Sequence, residues 1–104
     1  MLTRNAAIAV VDSYAREIQA NGVHLRTVIL YGSFAKGTQH EWSDIDVALV
    51  ADEFEGLPTD IYHFSSVAVK KPYIRIEPNT YPTQYFKEGD PFIEEIVRTG
   101  VKIV

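Results

Sequence analysis

Two aspartates, Asp44 and Asp46, stand two positions apart in this 104-residue sequence, at the start of the apolar segment DIDVALV. In an extended segment such residues point to the same face, with Cα atoms roughly 6.5 Å apart. Their like charges repel each other and tend to keep one carboxyl group protonated unless a cation lies between them. Oxygen ligands of this kind suit Mg²⁺ or Mn²⁺, and Mg²⁺ is commonly shared between carboxylates and substrate phosphates.

A Gly-Ser pair lies at the end of a second apolar segment, VILY, where FAKG is expected to open a short helix. Gly32 allows a ligand to approach the backbone closely. The N–H groups at a helix start, together with the Ser33 hydroxyl, are suited to hold phosphate oxygens. Lys36 would add a positive charge nearby. Together with the carboxylates, these residues predict a site for a nucleoside triphosphate.

The first half of the chain is expected to contain a helix and two strands that position these residues. Apolar residues at helical spacing predict a helix over residues 5–19, which stops at Asn21-Gly22. VHLRTVILY reads as a central strand that ends at Tyr31, and DIDVALV reads as a second strand. In the second strand, alternation predicts one face formed by Ile45, Val47 and Leu49 and the opposite face formed by Asp44, Asp46 and Ala48.

The second half predicts a helix, a strand and a final helix. A helix is expected from Thr59 to about Ser66. The alternating segment YIRIE predicts a strand with Ile74 and Ile76 on one face and Glu77 on the other, ended by Pro78. The last helix is capped by Asp90 and stops at Gly100, and VKIV is expected to form a short edge strand. The order predicts a small α/β (α+β) domain with a mixed sheet flanked by helices.

Composition narrows the functional classes. The length fits one domain over residues 1–104. A net charge of −4 and the absence of cysteine argue against a broad nucleic-acid surface, a disulfide framework and a thiolate metal site. The apolar segment AAIAVV is too short to span a membrane and lacks the features of a signal peptide, so we expect a cytoplasmic protein without a membrane partner.

The spacing Gly32-Ser33, ten residues, then Asp44-Ile45-Asp46 resembles the signature of the DNA polymerase β-type nucleotidyltransferase superfamily. The chain length resembles its smallest branch, the minimal nucleotidyltransferases, several of which are antitoxin partners of HEPN-domain toxins. Residues 28–50 carry most of the resemblance. Residues 73–99, with IEPNTYPTQYF, add to it.

The resemblance implies a polymerase β-like fold and a site with two Mg²⁺ ions, with Mn²⁺ as an alternative. Asp44, Asp46 and Glu77 match the three catalytic and metal-binding carboxylates, although the family often has aspartate where Glu77 stands. Gly32, Ser33 and Lys36 match nucleotide-binding positions. The family often has arginine at the last of these, and lysine lacks its bidentate grip on phosphate.

The implied reaction transfers AMP from ATP to a hydroxyl group of a partner protein, which the resemblance suggests is a HEPN-type toxin. Two alternatives stay open: a binding module that neutralises its partner by complex formation, and a small-molecule nucleotidyltransferase that works with a separate helical subunit. Ordinary structural roles also stay open for the site residues. The aspartates would then be a solvated strand end, Ser33 a turn residue, Lys36 a surface lysine, and Glu77 an edge-strand carboxylate paired with Arg75.

Overall fold

The computed structural model of this chain describes residues 2–87 and 89–104. The helices in this part of the chain are α1 (Arg4–Ala20), α2 (Ser33–Lys36), α3 (Ser65–Ala68), α4 (Thr83–Lys87) and α5 (Pro91–Thr99). The strands are β1 (Leu25–Tyr31), β2 (Ile45–Ala51), β3 (Ile76–Pro82) and β4 (Val101–Lys102). Short 3₁₀ turns cover Pro58–His63 and Lys71–Tyr73. None of these helices is long and apolar enough to cross a membrane.

The strands form one mixed sheet in the order β3-β2-β1-β4. β1 is antiparallel to both β2 and β4, whereas β2 and β3 are parallel. The antiparallel β1–β2 pair is joined through α2, and the parallel pair is joined by the longer segment that contains α3. This confirms the predicted fold class, including the edge strand near the C-terminus.

The sheet buries apolar side chains on both faces, and the predicted alternation along β2 is correct. One face packs beneath α1, whose buried residues include Ala7, Val11, Tyr14 and Ile18. The side chains of β2 in this larger cluster are Ile45, Val47 and Leu49. On the opposite face, Ala48 packs with Ile29 and with Ile96 of α5. Ile45, Val47 and Leu49 of β2 therefore lie in the larger core cluster. Asp46 lies on the opposite face, which α5 covers only in part.

The predicted helix ends agree with the structure. Asn21 caps α1, and Gly22 follows with φ of 95°. Asp90 caps α5, because its Oδ1 accepts a hydrogen bond from the Phe92 N–H at 2.8 Å. Gly100 follows α5, and packing requires glycine at this position, since an added Cβ would lie 2.4 Å from Cγ2 of Ile29.

The single helix predicted from Thr59 to Ser66 is wrong. The segment forms a 3₁₀ turn over Pro58–His63 and a separate short helix, α3. The break falls at Phe64, which adopts φ of −142° and buries its ring against Tyr14 with ring centres 6.2 Å apart. Burial of the aromatic ring thus overrides a continuous helix in this segment.

The strand predicted over residues 73–77 is also wrong at both ends. Residues 71–73 form a 3₁₀ turn that leaves Ile74 79% exposed, while Tyr73 is buried and packs against Tyr14. The strand begins at Ile76 and continues through Pro78. A proline is tolerated there because β3 is an edge strand, where a missing N–H on the outer side costs no ladder hydrogen bond. The predicted opposition of Ile76 and Glu77 is correct.

Asp60 is a buried charged residue that the sequence reasoning did not single out. It is only 2% exposed. Its carboxylate accepts hydrogen bonds from the backbone N–H groups of Glu55, Gly56 and Leu57 at 2.8–3.1 Å and from the Thr80 hydroxyl at 2.6 Å. Burial raises the pKa of Asp60, but these hydrogen bonds outweigh burial and lower the pKa below its ordinary value. Asp60 thereby ties the turn after β2 to β3.

We predict that Asp60→Ala lowers the free energy of unfolding by about 2–4 kcal/mol, because buried N–H donors lose their acceptor. Asp60→Asn keeps one acceptor oxygen and should cost less. A carboxylate whose pKa is lowered in the folded state stabilises the protein above its unfolded pKa, and this contribution is lost as the pH falls through the folded pKa. Urea unfolding at pH 7 and below pH 3.8 should therefore show a smaller difference between wild type and Asp60→Asn at the acidic pH. An equal difference at both pH values would contradict this role.

Candidate active site

The three predicted carboxylates lie together at one end of the β2–β3 pair. Asp46 and Glu77 are direct neighbours in the parallel register, so both side chains project from the same face of the sheet. Asp44 immediately precedes β2, and its carboxylate shares a hydrogen bond with Glu77. The sequence located these residues, but only the parallel pairing of β2 and β3 makes Glu77 the neighbour of Asp46.

These carboxylates carry uncompensated negative charge. The hydrogen bond with Asp44 raises the pKa of Glu77, and the charges of Asp44 and Asp46 raise it further. Burial, followed by the charge of Asp44, raises the pKa of Asp46. Both shifts reflect the closeness of the carboxyl groups, which makes their combined negative charge unfavourable. The arrangement would be relieved by a cation.

Gly32 lies directly against Asp46. A Cβ atom added to Gly32 would lie 2.3 Å from Oδ2 of Asp46, and the glycine has φ of 72°. Both the close contact and the backbone conformation therefore require glycine at this position. The Gly-Ser pair predicted to hold phosphate is thus in contact with one of the predicted metal ligands.

Ser33 and Lys36 begin and end α2, as the sequence predicted for a short helix. Ser33 is half-buried beside Gly32. Lys36 is exposed, and its Nζ lies 3.8 Å from Oε1 of Glu95 on α5. Ser33 therefore directly follows the glycine that lies against Asp46, whereas Lys36 lies toward α5.

Arg75 connects three elements of the site, a role that the sequence reasoning missed. Its Nη2 donates hydrogen bonds to the backbone oxygens of Ser43 at 2.6 Å and Glu41 at 3.2 Å. Its guanidinium carbon lies 5.9 Å from the ring centre of Phe34, a fully buried residue of α2. Arg75 thus holds the loop before Asp44 against α2 and against the start of β3. The hydrogen bonds described for this side chain go to backbone oxygens and not to Glu77.

Tyr31 and Asn79 border the carboxylates on the same face. Tyr31 is the Cα partner of Asp46 across β1 and β2, and Asn79 follows Glu77 by two positions on β3. The Asn79 Nδ2 donates a hydrogen bond to the Tyr31 hydroxyl at 2.6 Å. Burial raises the pKa of Tyr31, as do the neighbouring Tyr81 and Asp46, so this phenol stays neutral beside the carboxylates.

The donor set fits a divalent cation, although the ligands are not arranged around a common metal position. Within residues 2–87 and 89–104, no group of three or more His, Cys, Asp or Glu side chains is already placed to hold a metal ion. The carboxylates of Asp44, Asp46 and Glu77 are nevertheless adjacent, and oxygen ligands of this kind are those that Mg²⁺ and Mn²⁺ take. A bound divalent cation would reduce the repulsion among these carboxylates.

Other histidines, a tryptophan and the acidic residues after β2 lie at solvent-exposed positions. His40 and Trp42 are exposed in the loop before Asp44, as expected for a loop. His24 and His63 are exposed and lie on different elements of the chain. The acidic residues after β2 are exposed, and Asp52 pairs with Arg26 at 2.7 Å.

A small mixed sheet that presents carboxylates beside a Gly-Ser turn defines a class of nucleotide-transferring enzymes. The family described as polymerase beta, nucleotidyltransferase, matches residues 15–104. Because the match spans most of the chain, this protein belongs to that family and is a nucleotidyltransferase. This confirms the fold and the enzyme class that the resemblance implied. No curated protein matches the chain significantly by sequence.

Solved structures support the fold. A protein from Sulfolobus solfataricus, provisionally assigned as a nucleotidyltransferase, superposes with a TM-score of 0.64 at 15% identity, over 95% of this chain and 80% of its own. A toxin–antitoxin with AMP-PNP gives a TM-score of 0.61 at 19% identity, over 89% and 72% of the two chains. The toxin–antitoxin MntA–HpeT, in a variant with two aspartates replaced by glutamate, gives 0.59 at 17% identity, over 88% and 70%. At these identities the likeness concerns the fold.

We predict that Gly32→Ala weakens binding of MgATP, because the new methyl group displaces the Asp46 carboxylate. Gly37→Ala is the matched control, since Gly37 also has positive φ, at 75°, but nothing lies within 4 Å of an added Cβ. Both variants should lose roughly 1–2 kcal/mol of stability from the left-handed backbone. Calorimetry should then show weakened binding for Gly32→Ala only. Equal affinities in the two variants would argue against a role for the contact with Asp46.

We also predict that Arg75→Met loosens the loop that carries Asp44. The methionine keeps apolar packing on Phe34 but loses both hydrogen bonds, which should lower stability by about 1–2 kcal/mol. Hydrogen exchange should accelerate in residues 38–44 and leave α1 unchanged. Arg26→Met serves as the control, because Arg26 makes only a surface ion pair with Asp52. Uniformly faster exchange in Arg75→Met would indicate a general loss of stability and not local positioning.

Proposed function

We propose that this protein transfers a nucleoside monophosphate, with AMP from ATP as the expected donor, to a hydroxyl group of a partner protein in a reaction that requires a divalent metal. One observation carries the proposal: Asp46 and Glu77 are neighbours in the parallel register, with Asp44 bonded to Glu77 and Gly32 packed against Asp46. Carboxylates gathered beside a glycine turn suit a metal-bound triphosphate.

The metal site would use Asp44, Asp46 and Glu77. Two Mg²⁺ ions, when bound, would stabilise the negative charge that develops on the attacking and leaving oxygens. Mn²⁺ meets the same oxygen donors. Ser33 would bind a phosphate oxygen through its hydroxyl, and Gly32 would let the triphosphate approach the backbone. Lys36 can contribute only if its ammonium group turns from Glu95 toward the triphosphate.

The proposed reaction exchanges one bond at the α-phosphorus for another and releases the proton of the acceptor hydroxyl. The acceptor hydroxyl oxygen forms a bond to the α-phosphorus, and the bond from this phosphorus to the pyrophosphate oxygen breaks. Glu77 would take the proton of the acceptor hydroxyl through its carboxylate, because it is the neighbour of Asp46 in the parallel register and projects from the same face of the sheet. Pyrophosphate leaves with the electron pair of the broken bond.

The partner is proposed from the resemblance and from the structural neighbours. Two of the similar structures are toxin–antitoxins, and one of them contains AMP-PNP. The two aspartates replaced in MntA–HpeT are two positions apart, as are Asp44 and Asp46. We therefore infer that the acceptor is a protein of the HEPN-toxin type. A small-molecule acceptor bound with a separate helical subunit is the alternative that mass spectrometry of the products would reveal.

A second candidate function is a binding module that neutralises its partner without transfer. Exposed apolar side chains beside the site favour it: Trp42 is 82% exposed and Ile74 is 79% exposed. Trp42 lies in the loop before Asp44, next to Glu41, and Ile74 directly precedes Arg75, whose side chain bonds to that loop. A partner that covers these side chains would contact the segments that lead into Asp44 and Glu77, whether or not the site is active.

We predict that wild type binds MgATP or MnATP in calorimetry and that Asp44→Asn/Asp46→Asn does not. Transfer of AMP to the partner should fall by at least about 100-fold, since even outer-shell changes at metal sites cost roughly 10- to 100-fold. The matched control is Glu53→Gln/Glu55→Gln, which removes two exposed carboxylates at the same spacing and changes the net charge equally. This control should behave as wild type.

The same variants separate the two functions when each is expressed with its partner. If Asp44→Asn/Asp46→Asn forms the complex but no longer neutralises the partner, transfer is required. If it still neutralises, binding is sufficient and the transfer proposal is wrong. Mass spectrometry should find a mass increase of one nucleoside monophosphate on the partner only with wild type and the Glu53/Glu55 control.

A further inference from the structure

Phe92 is an apolar residue of α5 that the packing of this helix does not need. Ile93 and Ile96 are buried and attach α5 to the sheet, whereas Phe92 is 56% exposed. The exposure of Phe92 nearly equals that of Val97 on the same helix, at 57%. Burial in the core therefore does not explain the position of this phenyl ring.

The ring of Phe92 lies beside the candidate active site. It contacts Tyr31 edge to face, with ring centres 6.3 Å apart and an angle of 89° between the rings. Tyr31 is the Cα partner of Asp46 and directly precedes Gly32. Phe92 thus contacts the residue that pairs in the sheet with Asp46, a proposed metal ligand.

A second contact places the same side of α5 next to α2. Glu95, one helical turn after Phe92, lies 3.8 Å from Lys36 at the end of α2. Residues three apart share a side of a helix. The side of α5 that carries Phe92 and Glu95 therefore borders the turn of α2, where the triphosphate would bind.

Polar groups lie at the edge of this aromatic pair. The Asn79 amide donates a hydrogen bond to the Tyr31 hydroxyl at 2.6 Å. Tyr81, two positions further along the same face of β3, stacks on Tyr85 with ring centres 6.0 Å apart. The surface that begins at Asp46 and Glu77 thus changes from carboxylates to aromatic rings and a side-chain amide. This order of side chains along the surface matches a nucleotide, whose phosphates are charged and whose base has flat, apolar faces.

We propose that the exposed ring of Phe92 is the surface on which the base of the nucleoside triphosphate stacks, with Tyr31, whose ring is perpendicular to that of Phe92, and Asn79 at the edge of that base. The inference rests on the proposed function and deepens it by naming the residues that recognise the base. Stacking on aromatic side chains tolerates every base. A purine has a larger face to stack on the phenyl ring than a pyrimidine, so the expected substrates are purine nucleoside triphosphates.

The test compares MgATP, MgCTP and magnesium tripolyphosphate by calorimetry, in the full chain and its variants. Phe92→Ala should weaken MgATP binding by about 5- to 150-fold, the range for loss of one stacked base. Its affinity for tripolyphosphate, which has no base, should not change. Phe92→Trp should bind MgATP at least as tightly as wild type. Val97→Ala, the matched control on the same helix, should bind all ligands as wild type does.

Wild type should also prefer MgATP to MgCTP, and Phe92→Ala should lose this preference. If Phe92→Ala leaves MgATP binding unchanged, or weakens MgATP and tripolyphosphate equally, Phe92 is not a base platform and its exposed ring belongs to a partner surface. If wild type binds MgATP no better than tripolyphosphate, base recognition is absent while the proposed nucleotide site stands. If wild type binds neither ligand, the proposed function itself fails and the inference fails with it.

Discussion

The parallel pairing of β2 with β3 is the constraint on which the site depends. It makes Asp46 and Glu77 neighbours, and it leaves Glu77 within hydrogen-bonding reach of Asp44. Like charges at this distance are unfavourable without a proton or a cation between them. A metal ion bound with a triphosphate would relieve this repulsion between the carboxylates. The contact of Gly32 with Asp46 brings the turn after β1 to the same point. The turn after β1, the start of β2 and the start of β3 are thereby adjacent.

Two polar anchors, the side chains of Asp60 and Arg75, hold neighbouring segments of the chain together. Asp60 bonds the turn after β2 to Thr80 of β3, and Arg75 bonds the loop before Asp44 to the start of β3. Both anchors use a charged side chain to satisfy backbone groups of a neighbouring segment, and such bonds are stronger than neutral ones. Both act on β3 or on the residue just before it, and β3 is an edge strand with prolines at two positions.

The small size leaves the site open on one side. α5 covers the face with Asp46 only in part, and aromatic and apolar side chains near the carboxylates remain exposed. The two proposals assign these side chains different tasks: Phe92 would meet the base of the nucleotide, whereas Trp42 and Ile74 would meet the partner that presents the hydroxyl group.

The sequence by itself determined the elements whose signals are local. Helical spacing and caps located α1 and α5, strict alternation located the inner face of β2, and the spacing of Gly32-Ser33 and Asp44-Asp46 identified the family. Local patterns failed where packing between distant segments decided the conformation. Phe64 interrupts a predicted helix because its ring is buried against Tyr14, and Pro78 continues a strand because β3 lies at the edge of the sheet. The roles of Arg75, Asp60 and Phe92 depend on contacts across more than 15 positions, or on exposure, neither of which has a sequence period. Only the tertiary structure decided them, since hydrogen bonds and ring contacts between segments form according to the sheet order and not according to the spacing along the chain.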